Sequence, residues 1–245
     1  GTFKVLEVTR HYWQNLPVHK RQQFRFLHVS TDEVYGDLPH PDDDPQAHYL
    51  RFKENSPLAP SSPYSASKAS SDHLVHAWHR SYGLPTIISR CSNNYGPFQF
   101  SEKLIPYMVK QALNQQPLTI YGSGQQIRDW LYVDDHVRAL YLLLKNAQVG
   151  EIYNIGANNE RRNIDIVYKL CQIMDELVPQ ASGQSYAQLI RHVADRPGHD
   201  VRYAVDSTKL QAATAWTPEY DFDTALAKTV AWCVRDFDAA AKYQA

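Results

Sequence analysis

The feature that most constrains this chain is an alternation between two hydrophobic periods. Runs that read as strands, at 24–30, 86–91, 118–121, 127–133 and 151–155, are separated by stretches whose apolar residues recur every three or four positions. The clearest helical stripes are Ile105, Met108, Val109, Ala112 and Leu113, then Val137, Leu140, Tyr141 and Leu144, then Ile166, Val167, Leu170 and Met174. Residues 2–13 read as the tail of a helix, and Phe222, Leu226, Val230 and Cys233 mark a last one near 222–237. Strands joined by helix-length connections pair in parallel with helices on their faces, so the expected fold class is α/β with a parallel sheet.

Local punctuation supports these boundaries. Ser62 followed by Pro63 is a helix start, and Gly83 with Pro85 is its stop. Pro106 belongs in the first turn of its helix, while Asp134 and Asn163 are the expected caps of the next two. A basic loop is expected before residue 24. A surface loop is expected over 37–60, its run Asp42-Asp43-Asp44-Pro45 solvating it rather than binding metal. The 245 residues are 43% hydrophobic with a net charge of −1, which suits a packed core and leaves no basic footprint for nucleic acid. No apolar run has membrane-spanning length and no signal peptide is visible, so no membrane partner and a cytoplasmic location are expected. Cys91, Cys171 and Cys233, odd in number and far apart, read as reduced core thiols.

Three segments at strand ends carry reactive groups. Thr31-Asp32-Glu33 follows the first strand, and two adjacent carboxylates there can serve as acid and base if their surroundings separate their pKa values. Alone, the segment is equally a polar turn. In Ser62-Pro63-Tyr64-Ser65-Ala66-Ser67-Lys68, Tyr64 and Lys68 are four apart and share a helix face. An ammonium beside a phenol favours the phenolate, so Lys68 is expected to lower the pKa of Tyr64. Cys91-Ser92-Asn93-Asn94-Tyr95-Gly96-Pro97 leaves the next strand; its Asn side chains could hold sugar hydroxyls or a carboxamide, or simply form a turn.

These strings resemble the extended short-chain dehydrogenase/reductase family, whose mark is Tyr-x-x-x-Lys after a strand ending in Thr or Ser. Thr31-Asp32-Glu33 resembles its dTDP-glucose 4,6-dehydratases in particular. Epimerases and decarboxylases of the family lack the acid pair, and GDP-mannose dehydratases resemble it in Glu33 but not Asp32. Further matches run through Glu102-Lys103-Leu104-Ile105-Pro106, from Tyr121 to Trp130, through Tyr153-Asn154-Ile155-Gly156 and from Asp195 to Asp200, so the resemblance covers nearly the whole chain.

The resemblance implies a Rossmann-like doubly wound parallel sheet, its first strands missing here, with a smaller α/β substrate-binding lobe. Residues 1–95, with a return near 134–156, would be the remainder of the NAD-binding domain, and 96–245 mainly the substrate lobe. It implies NAD as cofactor, dTDP-glucose as substrate and a homodimer as the assembly. Tyr64, assisted by Lys68 and hydrogen-bonded with Thr31, would take the 4-hydroxyl proton as hydride leaves C4. Glu33 would take the C5 proton, Asp32 would protonate the departing C6 hydroxyl, and hydride would return to C6. Substrate contacts carried over are Asn93, Glu102, Lys103, Thr119, Tyr121, Arg128, Asn163, Asp195, Arg196, Pro197, Gly198 and His199, with Arg128, Arg196 and His199 offering donors to a pyrophosphate. Tyr64, Lys68 and Asn94 would face the nicotinamide.

The departure is at the front. None of the ten glycines forms the turn on which a dinucleotide pyrophosphate rests, and Gly122-Ser123-Gly124 has Ile127 where a third glycine would fall. The chain is therefore expected to lack most of the cofactor cradle, to expose a sheet edge at 24–30, and on its own to bind NAD weakly. A nucleotide-sugar epimerase or decarboxylase, and a non-catalytic binding module, are the alternatives. His73, His76 and His79 step around one helix, nearer an expected dimer surface than a metal site, and no metal is expected.

Overall fold

The computed structural model describes the backbone of residues 1–243 and the side chains of residues 1–237. Helices α1 (Thr2–Gln14) and α2 (Val18–Gln23) lead into β1 (Phe26–Thr31). There follow α3 (Pro63–Tyr82), β2 (Thr86–Cys91), β3 (Asn93–Tyr95), α4 (Leu104–Leu113), β4 (Leu118–Tyr121), β5 (Ile127–Tyr132), α5 (Val133–Asn146) and β6 (Ile152–Ile155). The chain closes with β7 (Glu160–Arg162), α6 (Asn163–Leu177), β8 (Ile190–Val193), α7 (Thr208–Thr214) and α8 (Phe222–Tyr243). β3, β7, β8 and α7 escape a periodicity reading because each is too short to display a period.

Strands β1, β2 and β6 form a parallel sheet in that order, with Ser30, Arg90 and Asn154 aligned across it. Side chains alternate between its faces. Ile87, Tyr153 and Ile155 pack against Ala139 and Leu143 of α5. Ile88 and Ile152 pack against Val75 and Trp78 of α3 and Leu6 of α1 on the other side. β1 is the edge strand, with Val29 40% exposed, as expected for 24–30. The largest core gathers Ile105, Met108, Val109, Val167, Leu170, Leu226 and Val230 from α4, α6 and α8. Two smaller sheets lie beside it: β3-β5-β7, parallel then antiparallel, and the parallel pair β4-β8.

Several local expectations are corrected. The basic stretch before β1 is helical: Pro17, its φ at −53°, leads into α2, and Trp13 ties the turn down by donating to the Arg21 carbonyl at 3.1 Å. Residues 37–60 are not simply a surface loop. Leu38, His40 and Ala47 are buried, and the backbone of Leu38 and Phe52 bonds to Arg202 and Ala204. Neither Asp134 nor Asn163 caps its helix; the capping positions are Tyr132 and Arg162, without side-chain bonds. Asn163 is instead the first helical residue, its N–H donating to the Gln126 carbonyl at 3.0 Å. The apolar stripe of α5 is also turned outward, with Val137 and Tyr141 57% and 58% exposed. The opposite face is buried because Asp135 sits in it, accepting from the N–H groups of Glu219 and Tyr220 while its carbonyl takes the Trp216 indole.

Candidate active site

The acid pair is presented by a 3-10 turn at the end of β1. Extended Thr31 caps the turn Asp32–Tyr35, its hydroxyl oxygen accepting from the Glu33 N–H at 3.3 Å and its proton directed to Asp32 Oδ1, also at 3.3 Å. Gly36 then turns the chain with φ +88°, where a β-carbon would collide with the Ala59 carbonyl. This places Asp32 inside, 2% exposed, and Glu33 at the surface of the cleft, half-buried.

Their surroundings differ as two distinct roles require. Burial raises the Asp32 pKa to about 8; the Glu33 and Asp129 carboxylates add to the rise, and Arg128 with the Thr31 hydrogen bond works against it. Asp32 is therefore mostly protonated at neutral pH. Partial burial also raises the pKa of Glu33, with the charges of Arg128 and Lys103 opposing the rise. Asp32 Oδ2 is buried and has no hydrogen-bond partner.

Tyr64 and Lys68 project from the first turns of α3, which starts at a capping box between Ser62 and Ser65 and ends on left-handed Gly83, both as the sequence indicates. Two expectations fail here. Tyr64 has its pKa raised rather than lowered, by partial burial and then by the nearby Glu33, Cys91 and Asp32. Lys68 does not offset this, since its ammonium donates to the Val29 carbonyl of β1 at 2.7 Å. Nor does Thr31 bond to Tyr64, because its hydroxyl is committed to the acid turn. Both carboxylates nevertheless act on the phenol, so the three groups lie near one another.

Beyond β2, Asn93 and Asn94 are half-buried, and their Oδ1 atoms, with Gln99 Oε1, are buried without partners. Asn94 is held by its own Nδ2 on the Ser92 carbonyl (2.9 Å) and by Gln99 on its backbone carbonyl (2.7 Å). Its free Oδ1 faces no donor of the chain, which suits the N–H of a bound carboxamide. Of the three residues expected at the nicotinamide, Asn94 thus offers a free acceptor, while no glycine-rich turn for the NAD pyrophosphate occurs in these 245 residues.

Of the remaining expected contacts, Arg128, Lys103 and Arg196 lie near enough to act on the Glu33 carboxylate. Glu102 and Lys103 are exposed just ahead of α4, and Thr119 and Tyr121 alternate with buried Leu118 and Ile120 along β4. Arg128 is not a free surface donor: it is 6% exposed, stacks 4.3 Å from the Tyr203 ring, and donates to the carbonyls of Ile127, Asp200 and Val201. Asp195 staples its own loop, accepting from the Arg196 N–H (2.8 Å), His199 (2.7 Å) and Gln126 (2.9 Å). Arg196, Pro197 and Gly198 stay exposed on that loop. Sequence reasoning missed Asp129, whose carboxylate accepts from the Ala157 and Asn159 N–H groups. A carboxylate inside an apolar strand was its only signal. Asp200, the last residue of the matched Asp195–Asp200 string, is bonded to Tyr203 beneath Arg128; Tyr203 carried no such signal. Among the described residues, no three His, Cys, Asp or Glu are grouped to hold a metal ion, and no helix is long and apolar enough to cross a membrane.

Comparison with known proteins gives the chain's relatives. The family model described as GDP-mannose 4,6 dehydratase matches residues 1–229. A curated dTDP-glucose 4,6-dehydratase of Escherichia coli is 56% identical over 233 residues, covering 95% of this chain and 64% of the relative. The chain thus spans under two thirds of that relative's length. The crystal structure of dTDP-glucose 4,6-dehydratase from Bacillus anthracis in complex with NAD superposes with a TM-score of 0.81 at 40% identity, covering 97% of this chain and 67% of that one. The enzyme from Streptomyces venezuelae, with NAD bound, superposes at 0.79 and 39% identity over 97% and 67% of the two chains. The parallel β1-β2-β6 sheet is accordingly part of a Rossmann-type fold. Fold, cleft and relatives together identify the chain as a member of the GDP-mannose 4,6 dehydratase family.

Proposed function

We propose that this chain carries the substrate cleft and proton-transfer groups of an NAD-dependent dehydratase converting dTDP-glucose to dTDP-4-keto-6-deoxyglucose. The observation that carries this reading is the environment of the acid pair: Asp32 buried, which raises its pKa, Glu33 beside it and only half-buried, with Tyr64 within reach of their charges. An epimerase needs no such pair, whereas loss of water across C5 and C6 needs a base for one carbon and an acid for the other.

In this mechanism Tyr64 takes the proton of the sugar 4-hydroxyl. Its raised pKa opposes that step, so Lys68 must leave the Val29 carbonyl and bring its cation to the phenol. Tyr64, Lys68 and Asn94 would hold the nicotinamide end of NAD, which would supply a hydride acceptor for C4 and donor for C6. The 4-ketone acidifies the C5 proton, which Glu33 removes. Asp32 protonates the C6 hydroxyl as it leaves as water. Arg196 and His199 are assigned to the diphosphate, and Arg128, with its carbonyl bonds, positions that loop as much as it binds. Asn93, Glu102, Lys103, Thr119, Tyr121, Asn163 and the Asp195–His199 loop complete the nucleotide-sugar contacts.

In the same reading residues 1–95, with the return near 134–156, belong to the NAD-binding domain, and 96–245 mainly to the substrate lobe. Buried Leu210 and Trp216, packed under α5, extend the return further. Exposed Phe3, Val5, Val8 and Tyr12 on α1, beside Tyr82 of α3, support a homodimer through this helix pair. The same proposal places the activity in the cytoplasm, supplying deoxysugars such as rhamnose for polysaccharide. The test is product analysis by NMR after incubating the full-length protein with NAD and dTDP-glucose. A 4-keto-6-deoxy sugar is expected; a C4 epimer, or unchanged substrate, would overturn the assignment.

A further inference from the structure

Beneath the cleft, the last rung of the β1-β2-β6 sheet on its α3 side is polar where the rung below is largely apolar. Ser30, Arg90 and Asn154 stand side by side there, above Ile88 and Ile152. Arg90 is only 3% exposed. Its Nε donates to Asp72 Oδ2 at 2.9 Å, its Nη1 donates to the Tyr35 hydroxyl at 2.9 Å, and its guanidinium lies 4.8 Å from the Tyr35 ring centre. Tyr35 passes the chain on, donating to Asn154 Oδ1 at 2.7 Å and stacking on Phe52. The other oxygen of Asp72 lies 3.2 Å from His28 Nε2 on β1.

The two ends of this network are informative. Asp72 is one turn beyond Lys68 and two beyond Tyr64, on the same face of α3. Tyr35 is the last residue of the turn that begins with Asp32 and Glu33. A buried arginine–carboxylate pair is a weak source of net stability, since replacing both members by apolar residues of similar volume is often neutral, whereas removing one alone strands the other charge and destabilises the fold. What the pair does provide is direction: a planar fork fixes two partners at set angles.

Resting on the dehydratase reading, we propose that Arg90 is a positioning residue that locks the Tyr64–Lys68 helix to the Asp32–Glu33 turn, so that oxidation at C4 and water loss across C5 and C6 act on one sugar pose. It touches neither substrate nor cofactor. Loosening it separates the two half-reactions rather than abolishing either: 4-keto sugar escapes before it loses water, and the hydride taken from C4 stays behind as NADH.

The test uses the full-length protein with NAD and dTDP-glucose. Arg90→Met keeps the volume and removes the fork; Tyr35→Phe keeps the ring and removes only the hydroxyl. For both, dTDP affinity by calorimetry and KM are expected to stay within about 3-fold. The turnover number kcat is expected to fall about 100-fold in Arg90→Met and about 10-fold in Tyr35→Phe, the scale of small misplacement of catalytic groups. NMR is expected to show 4-keto sugar that has not lost water, which the unaltered protein does not release. If Arg90→Met fails to fold, Tyr35→Phe decides by the same readouts. Unchanged kcat, or losses in kcat and KM that merely follow a lowered Tm with no undehydrated ketone, would overturn the proposal. An unaltered protein that makes no 4-keto-6-deoxy sugar would instead sink the dehydratase reading itself.

Discussion

Asp32 shows how one residue acquires a role from its surroundings. Buried below Thr31 and beside two further carboxylates, it holds its proton up to about pH 8. Dehydration is therefore expected to decline as pH rises above about 8, where the acid form is lost, and Asp32→Asn is expected to cut kcat by about 10²–10⁴-fold, the usual worth of a positioned acid. Stability carries the same sign. A carboxyl whose folded pKa lies above its unfolded value stabilises the fold at low pH, and that contribution drains away as pH climbs through about 8. Thermal unfolding at about pH 6 and pH 9 should show a smaller pH dependence in Asp32→Asn than in the unaltered protein. The identities of Asp32, Glu33, Tyr64 and Lys68 were readable from sequence because each side chain names its own chemistry. The state of Tyr64 was not: it depends on which acceptor Lys68 finds, and that acceptor, the Val29 carbonyl, lies 39 residues away. Asp129 and Arg90 were hidden for a related reason, since a charged residue inside a strand shows its use only when its partners are placed.

Among the elements, those fixed by local chemistry were legible and those fixed by distant packing were not. Ser62, Pro63 and Gly83 bound α3 as their residue types require. Ser62→Ala is expected to lose about 1 kcal/mol through the capping box. That should lower Tm by about 2–4 °C for a protein of this size, measured by calorimetry. The turn of Asp32 and Glu33 depends on Gly36, whose positive φ and contact with Ala59 leave no room for a methyl group. Gly36→Ala should shift this turn, lowering kcat of the full-length protein on dTDP-glucose by about 10-fold or more. Helix α5 is the counterexample: its period was right and its buried stripe was wrong, because Asp135 and not the apolar Val137–Tyr141 side meets Trp216 and the 219–220 backbone. A period reveals that a helix is two-faced; which face turns inward is settled by what packs on it.

At the scale of the whole molecule, the alternating pattern gave the class of fold, while sheet order and register rest on pairings between residues about 60 positions apart. The exposed apolar side of α1 makes a homodimer testable: Val8→Asp combined with Tyr12→Asp is expected to shift the full-length protein from dimer to monomer mass by light scattering. A dimer that persists would place the interface elsewhere. The dehydratase account as a whole turns on Tyr64, Asp32 and Glu33 handling separate protons of one sugar. The most direct measurement follows dTDP-glucose with full-length Glu33→Gln and NAD in deuterium oxide, reading product and label by NMR. The nucleotide sugar should still bind, while no 4-keto-6-deoxy sugar forms and no solvent deuterium enters at C5. Formation of that product at the unaltered rate, labelled at C5, would contradict the account.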